Sequence, residues 1–240
     1  MKQRLRFLPI RVRLALSLLL LVLAFFLAWF CTGWAWPTRE LAYRALETSH
    51  GFGPGEIVAQ GQVTFEEGYS NQSGADFSVW MAGRSGDSFA FSVLAQAPGP
   101  LWRRSSQLRY AFQVLTPTAE TPLVATLLAQ ADGPYGIRPV GTPFLFHSEY
   151  LWAICTLDPA IVRVEVTMNY TYRLGTDVDF SDPMESDPVT VQAQSVAEGV
   201  WLARIRLPDP LEGRSGGYSA NHSLRGYNAA GALVYDSGPR

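Results

Sequence analysis

The chain has 240 residues, 48% of them hydrophobic and 17% charged, and a formal net charge of −2. That balance describes a folded chain and excludes a largely disordered one, and the length allows one large domain or two small ones. The charge splits into +5 over the first 13 residues, from Lys2, Arg4, Arg6, Arg11 and Arg13, and −7 over the rest. An acidic body lacks the clustered Lys and Arg that grip phosphate backbones, so no nucleic-acid partner is expected.

From Leu14 to Thr38 no residue is charged. As a helix, residues 14–36 would extend about 35 Å and cross a hydrocarbon core of about 30 Å. The five basic residues precede the run, whereas Arg39, Glu40, Arg44 and Glu47 after it nearly cancel. The positive-inside rule then puts the N-terminus in the cytoplasm and the body outside. Trp29, Trp34 and Trp36 cluster at the outer end, where indoles favour the headgroup layer, and Pro37 stops the helix. The pattern predicts a signal anchor embedded in the lipid bilayer through residues 14–36. The alternative is a cleaved signal, since Gly33 and Ala35 are small residues at the −3 and −1 positions of a signal-peptidase cut.

Residues 37–55 read as a juxtamembrane helix and linker. Thr38 can cap the helix, Leu41, Ala42, Ala45 and Leu46 form an apolar stripe, and Gly51 follows its end. From Glu56 the periodicity becomes two. The clearest strand is "VRVEVTMNYTYRL", residues 162–174, with 13 residues of strict apolar and polar alternation. Further strands are read in "EIVAQGQVTFEE", "DFSVWMAG", "SFAFSVLAQ", "LRYAFQVLT", "PLVATLLAQ", "LWAICTL", "VTVQAQSV", "VWLARIRL", "SLRGY" and "ALVYD", separated by turn signals such as "GRSGD" and "NAAG". Residues 56–240 are therefore expected to form an antiparallel β-sandwich-like extracytoplasmic domain, mainly β, behind a basic cytoplasmic tail of residues 1–13.

The body holds one cysteine, Cys155, flanked by apolar residues and read as a buried small hydrophobe. "GRSGG", residues 213–217, matches the Gly-x-Ser-x-Gly pattern, but that motif needs a strand-to-helix turn and no helix follows. "GDS" at 86–88 falls in a hairpin turn. His50, His147 and His222 lack ligand spacing. The stretch "GTDVDFSDPMESDP" carries Asp177, Asp179, Asp182, Glu185 and Asp187, and carboxylates at alternate positions can converge on Ca²⁺. The EF-hand pattern fails, however, because Asp182 stands where Gly is required and Pro188 where the bidentate Glu belongs. A solvated loop is expected, with a weak calcium site as the alternative. Asn71, Asn169 and Asn221 head N-x-S/T sequons, but one lysine against 18 arginines points to a GC-rich bacterial product in which glycosylation is not expected.

The order of features resembles a family. The basic tail and membrane helix, then "AYRALETSHGFGPGEIV", "FSVWMAGRSGDSFAFSVLAQAPGPLW", "YLWAICTLDPAIVRVEV" and "LRGYNAAGALVYD", look like small membrane-anchored extracytoplasmic proteins of Gram-positive bacteria, uncharacterised in function. The resemblance covers about two thirds of the body, rests on patterning and carries no catalytic residue. It departs in the acidic stretch after Leu174, which looks like an insertion. It implies a single-pass protein of the cytoplasmic membrane.

The function expected is noncatalytic: binding or sensing of an envelope protein or wall polymer, with no cofactor. Two alternatives are kept. One is an envelope hydrolase using His147, Glu149 and Asp158, and the other is a glycan-binding module using Trp80, Trp102 or Trp201.

Overall fold

The computed structural model describes residues 9–31, 35–63, 70–71, 78–96, 100–104, 112–132, 147–176, 179–180, 182–208 and 216–238. One apolar helix near the N-terminus is followed by a mainly β body whose strand pairs are antiparallel.

Helix α1 (Ile10–Cys31) begins behind Pro9, whose carbonyl accepts from the amides of Val12 and Arg13 at 2.9 and 3.1 Å. Its 22 residues rise about 33 Å. Apolar side chains point outward along it, from Val22 at 40% exposed to Ile10 at 75%. The helix starts four residues before the expected Leu14 and stops short of the expected Trp36. Trp36 cannot be helical because its amide and carbonyl both bond to Trp102, at 2.6 and 2.7 Å, while Ala35 is buried.

Helix α2 (Arg39–Ser49) is capped as the sequence predicts. The Leu41 amide donates to the Thr38 hydroxyl at 3.2 Å. At the other end the Phe52 amide reaches the Glu47 carbonyl at 2.9 Å and the Gly51 amide the Thr48 carbonyl at 3.3 Å, with Gly51 at φ +69. This is the Schellman arrangement, whose left-handed residue suits glycine. The buried face differs from the predicted stripe: Ala42, Tyr43 and Glu47 are inside and Leu41 is 46% exposed. The stripe is rotated because the Tyr43 hydroxyl donates to the Ala90 carbonyl at 2.8 Å, which turns that side of the helix onto the sheet.

The strands in chain order are β1 (Glu56–Val63), β2 (Ser70–Asn71), β3 (Ser78–Ser85), β4 (Ser88–Gln96), β5 (Trp102–Arg104), β6 (Phe112–Leu115), β7 (Val124–Asp132) and β8 (His147–Cys155). They continue with β9 (Arg163–Thr176), β10 (Asp179–Phe180), β11 (Met184–Glu185), β12 (Val189–Gln192), β13 (Gln194–Ala197), β14 (Val200–Pro208), β15 (Gly216–Tyr227) and β16 (Leu233–Asp236). The first sheet runs β1-β3-β4-β5, with β6 also on β4. The second runs β13-β14-β8-β7-β2. In the third, β9 pairs with β15 on one side and with β10, β11 and β12 on the other, and β16 closes the far edge.

Side-chain alternation divides the apolar residues among three cores. On one face of the second sheet Tyr150, Trp152, Ile154, Ala203 and Ile205 pack with Val164, Val166, Met168 and Tyr170 of the third sheet. On its other face Leu151, Ala153, Cys155 and Val200 pack with Trp80, Phe89 and Phe91 of the first. The opposite face of the first sheet, with Val79, Met81 and Leu94, receives Ala42 and Tyr43 of α2. The second sheet is thus apolar on both faces, as the unbroken run "LWAIC" requires.

The predicted strand "VTVQAQSV" is two strands in two sheets. β12 pairs with β9 and β13 with β14, and the chain crosses at Ala193, whose small side chain is buried and whose amide donates to the Val164 carbonyl at 2.8 Å.

Candidate functional site

The junction between α1 and the body is built from tryptophans. The Trp29 indole donates to the Ala35 carbonyl at 2.8 Å, and its ring meets Trp36 edge-on at 5.3 Å between centroids. Trp36 is in turn fixed to β5 by its two backbone bonds to Trp102. The Ala35–Trp36 bond, at which signal cleavage would occur, is therefore part of the folded body.

Behind the junction, α2 carries an ion pair between the buried Glu47 and the partly exposed Arg44. Glu47 is 1% exposed; one carboxylate oxygen lies 2.6 Å from the Arg44 guanidinium and the other has no hydrogen-bond partner. Arg44 also donates to the Gly55 carbonyl. These residues and the chain from Gly51 to Pro54 line a cleft of about 420 Å³. The neighbouring Tyr43 phenol is pushed above its ordinary ionisation range, first by burial and then by the nearby Glu47 charge.

A second cleft, of about 380 Å³, opens at the end of the third sheet, lined by Thr171, Tyr172, Arg173, Pro183, Gly217, Tyr218 and Ser219. Tyr172 and Tyr218 are register partners, so their side chains share a face. Tyr218 is 48% exposed and meets the buried Tyr170 edge-on at 4.9 Å. Tyr170 and Tyr150 place their hydroxyls 3.0 Å apart, and burial raises the Tyr150 phenol strongly. The sequence carries its signal in Tyr172, which continues the apolar alternation of β9 beyond the core.

The residues singled out in the sequence are described only in part. Asp182, Glu185 and Asp187 are exposed on the connection between β9 and β12. Asp177 and the side chain of Asp179 lie outside the described residues. Among the described residues, no group of three or more His, Cys, Asp and Glu stands close enough to share a metal ion. His50 stacks on Phe112 at 4.6 Å, His222 lies against Trp152 at 4.5 Å, and the side chain of His147 lies outside the described residues.

The proposed hydrolase set spans β8 from end to end. Glu149 is buried near its start, in an ion pair with Arg204 at 3.2 Å. Asp158 lies beyond its other end, accepting from the Ala160 amide at 2.9 Å. Strand rise alone puts the two ends of β8 about 25 Å apart.

Of the tryptophans offered for glycan stacking, Trp80 and Trp201 are core residues at 4% and 5% exposure, and Trp102 is half-buried beside α2. Cys155 is fully buried, and burial raises its thiol. "GDS" is the β3–β4 turn, with Ser85 opposite Ser88. In "GRSGG" the described Gly216 and Gly217 open strand β15. Two sequon asparagines, Asn169 and Asn221, face each other in register on β9 and β15, and the Asn221 amide donates to Thr171 at 2.7 Å.

Comparison with protein-family models, curated proteins and solved structures finds no match to this chain. The family resemblance noted in the sequence therefore rests on patterning alone, and the functional reading rests on the junction and the two clefts.

Proposed function

We propose that the chain is a single-pass protein of the cytoplasmic membrane, N-terminus inside, presenting a β-sandwich-like noncatalytic domain outside for binding or sensing at the cell envelope. The observation that carries this reading is α1. It is apolar over a membrane-spanning length, and Leu, Val and Phe side chains along it are exposed. A second support is the tryptophan junction, in which Trp29 of the span contacts Ala35 and Trp36 of the body.

The test is membrane fractionation with protease added from outside, followed by mass measurement of the N-terminus. The reading expects the chain to stay in the bilayer after alkaline washing, to keep Met1–Cys31, and to lose its body to external protease. A soluble chain starting at Trp36 would overturn the anchor and leave a released domain.

For the ligand, the cleft at Tyr172 and Tyr218 favours a wall polymer. Two phenol rings and the Arg173 guanidinium on one sheet end suit a sugar face and its hydroxyl or anionic groups. This moves the glycan-binding reading from Trp80, Trp102 and Trp201 to the exposed Tyr218 and the half-buried Tyr172. Titration with soluble wall fragments would show binding that Tyr218→Ala weakens about tenfold; equal binding by both proteins would remove the assignment.

A further inference from the structure

The arginines next to the junction are unequally engaged. Arg39 pairs with Glu40 at 3.0 Å and Arg44 with buried Glu47 at 2.6 Å. Arg103 and Arg104 of β5 have no acidic partner among the described residues, and Arg104 is exposed. They follow Trp102, which is held by Trp36, which touches Trp29 at the end of α1. Between Cys31 and Ala35 the chain can extend at most about 14 Å. The first turn of α2, with Leu41 46% exposed, follows at once. The half-buried indoles of Trp36 and Trp102, the exposed Leu41 and two arginines without an acidic partner among the described residues thus lie close to the end of α1, on a domain that is otherwise acidic.

We infer that this side docks on the headgroups of anionic phospholipids, with Arg103 and Arg104 on phosphate and Trp36, Trp102 and Leu41 at the glycerol level. The inference rests on the anchor reading, which brings these residues to the bilayer. Indoles favour the interfacial layer, and arginines are attracted to anionic surfaces. The attraction of two arginines amounts to about 30-fold in the ratio of docked to undocked body. Docking would fix the orientation of the distal tyrosine cleft relative to the membrane.

The test uses the full chain with Cys31→Ser and a nitroxide on Leu41→Cys; Cys155 is buried and stays unlabelled. The protein is reconstituted in vesicles of phosphatidylcholine alone or mixed with phosphatidylglycerol. Collision with oxygen and with an aqueous nickel chelate reports depth, and flotation reports anchoring. The expected result is a label in the headgroup layer only with phosphatidylglycerol, released into water by Arg103→Gln with Arg104→Gln and restored by Arg103→Lys with Arg104→Lys. A floating chain whose label ignores lipid charge and both arginine pairs overturns the docking and leaves the anchor standing. A chain that does not float overturns the anchor, and the docking falls with it.

Discussion

The Tyr43 hydroxyl occupies the space that a side chain on Gly83 would need: a Cβ there would lie 2.5 Å from the phenolic oxygen. The same hydroxyl donates to the Ala90 carbonyl on the neighbouring strand, so one atom both fastens α2 and demands glycine beneath it. Gly83→Ala is expected to destabilise the body by about 2–4 kcal/mol, and Tyr43→Phe by about 1–2 kcal/mol. In the double variant the overlap is partly relieved, so the combined loss falls below the sum. Urea unfolding of the four proteins measures the coupling; strict additivity would show that the two groups do not share this space.

The Glu47 carboxylate is buried with Arg44 as its charged partner. Removing the arginine alone leaves a buried charge, whereas removing both leaves none. Arg44→Met is expected to cost about 2–3 kcal/mol, discounted from the fully buried case because the arginine is partly exposed. Arg44→Met with Glu47→Leu is expected to recover at least half of that loss. Thermal unfolding of the single and double variants decides it, and an equal loss in both would refute an energetic role for the pair.

Tyr43 and Tyr150 have phenols raised above the ordinary tyrosine range, chiefly by burial. A raised acid holds its proton in the folded chain at a pH where the unfolded chain has lost it. Stability is therefore fully present below about pH 10 and declines as pH climbs above it. Absorbance at 295 nm during an alkaline titration is expected to show these two phenols ionising together with the loss of tertiary signal, after the exposed tyrosines. Their early ionisation in a folded chain would contradict the burial.

Cys155 sits in the core between the first and second sheets with its thiol ionisation suppressed. In a Cys31→Ser background, maleimide is expected to leave Cys155 unmodified in buffer and to modify it fully in denaturant, as read by intact mass. Labelling at equal rates in both would place the thiol outside the core.

The sequence made the strands legible where alternation was strict. Residues Val164 to Tyr170 enter the core on every second position as read, and the prediction runs one residue too far at its start, where Val162 is 52% exposed, and stops short of the end of β9 at Thr176. Alternation cannot say how far a neighbouring sheet extends. "LWAIC" showed a strand without showing that its two faces serve different sheets, because an unbroken apolar run has no period to assign. The break at Ala193 was invisible for a related reason: a change of sheet keeps the extended backbone and the side-chain rhythm on both sides. α1 was read correctly as an apolar helix and misjudged at its outer end, since hydropathy counts Trp36 as apolar whether it meets lipid or pairs with Trp102. The tyrosine cleft went unread because its two rings come from strands about 46 residues apart, brought together by pairing alone.

Ala193 also bears on how the domain comes apart. Because β12 and β13 are one continuous segment stitched to β9 on one side and to β14 on the other, neither the second nor the third sheet can peel away without stripping the other's edge. Slow amides in β8, β9 and β14 should therefore exchange with a common opening free energy, making these two sheets a single cooperative unit onto which α2 and the first sheet are fastened.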